Sequence, residues 1–198
     1  DTIEPVKVII TFIDEKICLP SKSLKREKFH FDKAREISKV LNSSLSNELI
    51  EERQREVWLF FLDTSSLFKL YQYEIGTDIL DKLFIENEID DIILSELSKI
   101  EFKSIVWKKI RMKEFAISEG NKFLEMFKND YLNYRFIEIK KDIIDLSLLM
   151  IEEFGQDGLR TLDSIQLATA YKHKNIIDLG ISADKLLNSF IERIGIST

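Results

Sequence analysis

Four carboxylates stand at positions where a regular strand or helix would not need them. Asp63 directly follows six large apolar residues, 57–62, which predict a strand buried on both faces. Glu101 interrupts an apolar row of a predicted helix, Asp163 lies in the first turn of another, and Asp184 follows a short predicted strand. Ligands of open parallel sheets bind beyond the carboxyl ends of the strands, so Asp63 lies where a site would be built. Grouped carboxylates repel one another and are tolerated mainly where a divalent cation neutralises them.

Each acid taken alone also has an ordinary structural explanation. An aspartate after a strand, such as Asp63, commonly forms a turn. Asp163 and Asp184 would each serve the dipole of the helix that they begin. Only Glu101 is expensive without a partner, because a partly buried carboxylate needs a cation or a hydrogen-bond donor. The metal-site interpretation therefore depends on the four acids together.

The composition limits the classes of protein that need to be considered. The chain has 198 residues, of which 44% are hydrophobic and 11% aromatic, enough for one good core and a smaller appendage. A formal net charge of −6 argues against binding nucleic acid by bulk electrostatics alone. The single cysteine, Cys18, excludes an intramolecular disulfide, and no apolar run is long enough to span a membrane. We therefore expect a cytoplasmic protein without a membrane anchor.

The chain from residue 57 onward alternates between predicted strands and predicted helices. This alternation predicts a mostly parallel sheet covered by helices on both faces, an α/β fold. Gly180 lies inside the last predicted strand and is expected to loosen it. The strands are predicted over 57–62, 91–94, 136–139 and 176–181, and the helices over 67–73, 77–86, 95–111, 118–131, 141–153, 161–173 and 184–190.

Residues 1–56 have a different pattern and are predicted to form a small strand-and-helix extension. A strand over 6–13 pairs with 17–19, and two helices follow. The second of these helices has an apolar stripe of three residues only, Leu45, Leu49 and Ile50. Such a narrow stripe cannot hold a helix alone, so this helix must pack on something larger.

Four segments of the chain carry a family pattern: Leu62–Tyr71, Ser95–Phe102, Leu159–Ala170 and Ile181–Leu187. Through these segments, in the family's order and spacing, residues 57–198 resemble PIN-domain ribonucleases of the VapC toxin type. The third segment is the most specific, and the second is weak alone. Three departures from the family pattern are Gln166, where many relatives have histidine, Ser182, where threonine is usual, and Gly180, where an apolar residue is common. None removes a carboxylate.

The resemblance implies a PIN-like three-layer α/β/α fold and hydrolysis of RNA phosphodiester bonds by water activated on Mg²⁺ or Mn²⁺. It assigns Asp63, Glu101 and Asp163 as primary metal ligands, with Asp184 binding through water or a second metal. The family also implies a homodimer. RNA specificity in such toxins resides in surface loops and in RNA shape, so the sequence does not identify the target.

The same resemblance gives the site's hydroxyl residues a supporting role. Thr64, Ser65 and Ser182 are expected to orient the carboxylates rather than to react themselves.

The N-terminal segment resembles the toxin-wrapping tail of a cognate antitoxin over Ala34–Ile37 and Leu45–Arg53. An ordinary helical extension of a PIN domain is the alternative. Antitoxin tails of this kind place a basic residue in the acidic pocket, but the strand between Arg55 and Asp63 separates them by about 26 Å. We therefore predict that neither Arg53 nor Arg55 enters the pocket of its own chain.

A blocking cation would instead come from a neighbouring subunit or from the basic residues Lys25, Arg26 and Lys28. Two further functions remain open at this stage. One is a PIN nuclease of RNA or DNA maturation without a toxin role. The other is a non-catalytic binding module in which the carboxylates only stabilise the fold.

Overall fold

The computed structural model describes residues 58–87 and 89–198. Several predictions lie outside these residues and stay predictions: the boundary between residues 56 and 57, the N-terminal strand and helices, the stripe of Leu45, Leu49 and Ile50, and the position of the N-terminal arginines.

The centre of the described region is a sheet of four parallel strands in the order β3-β2-β1-β4. Strand β1 lies between β2 and β4, with Phe60 opposite both Ile92 and Leu179. All three strand pairs are parallel, so the predicted α/β architecture is confirmed. The strands are β1 (Trp58–Leu62), β2 (Ile89–Ser95), β3 (Arg135–Ile137) and β4 (Leu179–Ile181).

Helices connect the strands, and none of the described ones is long and apolar enough to cross a membrane. The first begins at Thr64, three residues earlier than predicted, because the Asp63 side chain caps it. Strand β4 is shorter than predicted, since the turn after the preceding helix includes Ile176. The helices are α1 (Thr64–Tyr71), α2 (Thr77–Glu86), α3 (Leu97–Arg111), α4 (Ile117–Asn129), α5 (Lys141–Phe154), α6 (Thr161–Lys172) and α7 (Lys185–Arg193), with 3₁₀ turns at Asp130–Asn133 and Gly155–Asp157.

Neighbouring residues of the inner strands belong to two different cores. Phe60 and Ile92 join the core formed with α1 to α4, whereas Phe61 and Ile93 join the core formed with α5 to α7. All four side chains are fully buried. This alternation follows from the two-residue period of a strand, and it explains the continuous apolar run before Asp63.

An aromatic cluster fixes helix α3, which carries Glu101. The adjacent residue, Phe102, is fully buried and stacks on Phe127 with ring centroids 4.1 Å apart. Phe68 and Tyr71 of helix α1 also contact Phe102, at 5.1 and 5.2 Å. Because α1 begins at the end of β1, these contacts fix the rotation of α3 relative to Asp63.

Gly180 allows a close approach between β4 and helix α7. A Cβ at this position would lie 2.7 Å from Cγ2 of Ile191 and 3.3 Å from Cγ2 of Ile196. Its amide also donates to the carbonyl of Ser197 at 2.8 Å. The expectation that Gly180 loosens the strand is therefore wrong, because this glycine permits tight packing at the centre of β4.

We predict that Gly180→Ala lowers the free energy of unfolding by about 1–3 kcal/mol, the usual cost of overpacking a core. Urea unfolding of the two proteins measures the difference. Gly155→Ala is the matched control, since a Cβ there would meet Ile151 at an ordinary 3.7 Å. Equal stability of the Gly180 variant and the unsubstituted protein would show that helix α7 does not require the glycine.

Candidate active site

Asp63 lies at the junction between strand β1 and helix α1. Its Oδ1 accepts hydrogen bonds from the amide of Ser66 at 2.9 Å and from Oγ of Ser65 at 2.8 Å. Its own amide donates to the carbonyl of Ile181 on the neighbouring strand. The side chain is only 6% exposed. The turn-forming explanation of this residue is thus correct, but it accounts for only one of the two carboxylate oxygens.

Burial raises the pKa of Asp63 from 3.8 to about 6, because removal from water disfavours the charged carboxylate. Hydrogen bonds from Ser66, Ser65 and Ser182 act in the opposite direction and favour ionisation. Within residues 58–87 and 89–198, no lysine or arginine forms an ion pair with this carboxylate. Asp63 is therefore a buried acid whose charged form would be stabilised by a cation.

Glu101 is half-buried on helix α3 and is held by donors from two other helices. Oγ1 of Thr64 donates to its Oε2, and Nε2 of Gln166 donates to the same oxygen at 2.8 Å. Gln166 also donates to Oγ1 of Thr64 at 3.0 Å and lies 3.3 Å from Oγ of Ser98. The hydrogen bonds that the described residues make to Glu101 thus end on Oε2, and none of them uses Oε1.

Gln166 and Ser98 were not assigned to the site from the sequence. Gln166 is only 2% exposed, and its Oε1 has no hydrogen-bond partner among the described residues. The signal for its role was present, since Gln166 lies one helical turn after Asp163, at i+3. Gln166, one of the residues that depart from the family pattern, therefore forms part of the site.

Asp163 and Asp184 share one guanidinium. Nε of Arg160 donates to Oδ2 of Asp163 at 2.9 Å, and Nη2 donates to Oδ2 of Asp184 at 3.0 Å. Asp184 also caps helix α7, with Oδ1 accepting from the amides of Leu186 and Leu187. The nearby carboxylates raise the pKa of Arg160, with Asp163 acting more strongly than Asp184. Arg160 keeps its charge and neutralises this pair.

Two serines connect the buried acid to the exposed pair. Oγ of Ser65 donates to Asp63 and accepts from the amide of Ala183 at 2.9 Å. Oγ of Ser182 lies 3.5 Å from that hydroxyl and accepts from the amide of Asp184 at 2.9 Å. Ser65 and Ser182 therefore connect the loop after β4 to the start of α1.

The donor set consists of oxygens, which suits a hard divalent cation. However, no group of three or more His, Cys, Asp or Glu side chains among the described residues is placed to hold a metal ion. The structure therefore does not gather Asp63, Glu101 and Asp163 into a three-carboxylate cage. Mg²⁺ does not need one, because it usually keeps several waters and binds one or two protein carboxylates. The residues fit a cation bound in that way.

The hydroxyls of the site are not arranged for nucleophilic attack. Thr64 and Ser65 each donate to a carboxylate. A serine or threonine nucleophile needs an adjacent base, commonly histidine. The single histidine of the described region, His173, bonds instead to the carbonyl of Thr169 on its own helix. The arrangement is suited to binding a cation and orienting water, rather than to a covalent intermediate.

The raised pKa of Asp63 gives a prediction for the metal-free protein. The folded protein retains the Asp63 proton up to a higher pH than the unfolded chain does. The stability that this protonation contributes to the folded state is fully present below pH 3.8 and is lost as pH rises through about 6. The difference corresponds to about 3 kcal/mol. Asp63→Asn, which keeps the cap acceptor, should therefore be more stable than the unsubstituted protein at pH 7 and should lose that advantage near pH 4. Urea unfolding of both proteins in the presence of a chelator, at several pH values between 4 and 7, measures this difference in stability. A difference that stays constant over this pH range would contradict the raised pKa.

No protein-family model matches this sequence, and neither does any curated protein sequence. Solved structures do match. The FitAcB structure from Neisseria gonorrhoeae is 13% identical, covers 70% of this chain and 94% of its own, and has a TM-score of 0.54. The structure of VapC20 from Mycobacterium tuberculosis, described as a toxin that cleaves the sarcin-ricin loop, is 12% identical, covers 66% of this chain and 93% of its own, and has a TM-score of 0.52.

Identities this low show a common fold and nothing finer. The four parallel strands, with helices on both faces, agree with that likeness and with the four sequence segments described above. The described part of this chain therefore has the PIN-like α/β/α fold of VapC-type toxins.

Proposed function

We propose that this protein is a metal-dependent ribonuclease that hydrolyses RNA phosphodiester bonds with Mg²⁺ or Mn²⁺. The observation that carries the proposal is the pair formed by Asp63 and Glu101. One is fully buried and the other half-buried, both are held by hydroxyl or amide donors, and neither forms an ion pair with any described residue. Such carboxylates are expensive unless a cation neutralises them.

Each side chain then has a defined task. Asp63 and Glu101 would hold the cation, and Asp163 and Asp184 would complete its surroundings directly or through water. A cation bound there polarises a phosphate and lowers the pKa of a bound water. Thr64 fixes the rotamer of Glu101 through its hydrogen bond to Oε2. Such orienting contacts commonly change metal affinity or activity by about 10–100-fold when they are lost.

The biological role that we propose is that of a VapBC-type toxin. The fold shared with VapC20, a toxin that cleaves the sarcin-ricin loop, supports this role. An antitoxin would restrain the toxin, and the antitoxin-like segment 1–56 is the candidate within this chain. Because its arginines are predicted not to enter the pocket of their own chain, the segment would act on a neighbouring subunit, and the full chain at high dilution would be active. A homodimer is proposed from the family resemblance alone.

A non-catalytic binding module is the competing function, and one observation favours it. Asp63 and Asp184 both cap helices, and Arg160 already neutralises Asp163 and Asp184. Three of the four acids therefore have structural duties. Such a module does not explain why Glu101 and Asp63 lack an ion pair among the described residues. It would neither bind Mn²⁺ through these acids nor cleave RNA.

We predict that the purified full chain cleaves total RNA in the presence of Mg²⁺ or Mn²⁺, and that cleavage stops when a chelator removes the metal. Asp63→Asn should reduce the cleavage rate by at least about 100-fold, because it removes a charged ligand while keeping the helix cap. Sequencing of the new RNA ends measures cleavage and identifies the target. Asp145→Asn is the matched control, since Asp145 lies exposed on α5 beside Lys141.

The result that would contradict the proposal is equally specific. Cleavage that survives Asp63→Asn would come from another site or from a contaminant. Absence of both cleavage and Mn²⁺ binding in the unsubstituted chain would favour the binding module.

A further inference from the structure

Arg160 occupies the two oxygens that a cation at the exposed half of the site would use. Oδ1 of Asp184 accepts hydrogen bonds from the amides that begin helix α7. Its other carboxylate oxygen, Oδ2, accepts a hydrogen bond from Arg160. Asp163 likewise binds Arg160 through Oδ2. A divalent cation that takes these oxygens must displace the guanidinium.

The position of Arg160 makes such displacement easy. Its side chain is 71% exposed, so the ion pairs are well solvated and individually weak. The residue lies just before helix α6, outside both hydrophobic cores, and joins two acids that belong to different helices.

We propose that Arg160 is an exchangeable cation and the phosphate-binding residue of the site. Without a divalent cation it neutralises Asp163 and Asp184; once a cation takes over that task, the guanidinium turns to the phosphate of the RNA. Its planar set of donors suits a phosphate as well as it suits a carboxylate. This inference rests on the proposed function, whose RNA substrate it assumes.

The charge of the protein supports the second half of the proposal. The chain has a net charge of −6, and the site itself is built from carboxylates. RNA phosphates would be repelled there unless positive groups stand at the rim. Arg160 is 71% exposed and already bonded to two of the four acids, so it is a positive group at the rim of the site.

The first experiment measures Mn²⁺ binding to the metal-free full chain by calorimetry. Arg160→Gln removes the competing charge and should bind Mn²⁺ about fivefold more tightly than the unsubstituted protein. The Mn²⁺ affinity of Arg160→Lys should lie between those of the other two proteins, since this variant keeps the charge but loses the two-donor geometry. Arg135→Gln is the matched control, because Arg135 forms a comparable exposed ion pair with Asp91 on the sheet, and it should leave the affinity unchanged.

The second experiment measures binding of a fluorescein-labelled phosphorothioate RNA by anisotropy, with Ca²⁺ present. Here Arg160→Gln should bind about fivefold more weakly, and Arg160→Lys should recover part of the loss. Opposite changes in metal and RNA affinity are the signature of an exchangeable cation. Loss of an arginine with only a structural role would lower the melting temperature and would not produce both of these opposite changes. Thermal unfolding of each variant provides that comparison.

The two proposals can fail separately. Mn²⁺ affinity that is unchanged or weaker in Arg160→Gln, in a chain whose unsubstituted form binds Mn²⁺ and cleaves RNA, overturns the role of Arg160 alone. Unchanged RNA affinity in that variant overturns the phosphate-binding role. Failure of both the unsubstituted protein and Arg160→Gln to bind Mn²⁺ or to cleave RNA overturns the proposed function and this inference together.

Discussion

The burial of Asp63 at the start of helix α1 is the constraint on which the rest of the site depends. A charged carboxylate at this depth is costly, and its pKa rises to about 6 for that reason. The helix start offsets part of the cost through the Ser65 hydroxyl and the Ser66 amide. The two residues that follow Asp63 are therefore fixed as well: Thr64 donates a hydrogen bond to Glu101, and Ser65 accepts one from the loop that carries Asp184. Three consecutive residues thus hold elements that are distant in the sequence.

The acids divide into two pairs with different charge balance. Asp163 and Asp184 are half-buried and share Arg160, whereas Asp63, which is buried, and Glu101, which is half-buried, have no ion pair within the described region. Water screens the first pair, so its neutralisation is worth little to stability. In the second pair, Asp63 lies where a charge interacts strongly and where water compensates poorly for a missing partner. A cation would therefore be stabilised most beside Asp63 and Glu101.

The sequence was sufficient to predict the parallel α/β fold, because the apolar run before Asp63 and the alternating strand and helix patterns are local signals. It also singled out the four acids and the hydroxyl residues beside them, whose roles in a metal site stay predictions. It did not reveal the Arg160 bridge, which requires the loop before α6 and the loop after β4 to be neighbours. Ser98 was missed for a similar reason, since a small hydroxyl residue on a helix has no distinctive spacing. The role of Gly180 could not be predicted either, because it depends on the distance to Ile191.

The most direct measurement is the broadening of backbone amide NMR signals by substoichiometric Mn²⁺, recorded on the metal-free full chain. The unpaired electrons of Mn²⁺ broaden signals of nearby nuclei, so the pattern locates the ion without reference to activity. If Asp63 and Glu101 hold the cation, the amides of residues 63–66 and those around Glu101, Asp163 and Asp184 should broaden first. Broadening confined to surface acids elsewhere, such as Asp145 and Glu138, with the signals of residues 63–66 unaffected, would contradict a metal site at these carboxylates.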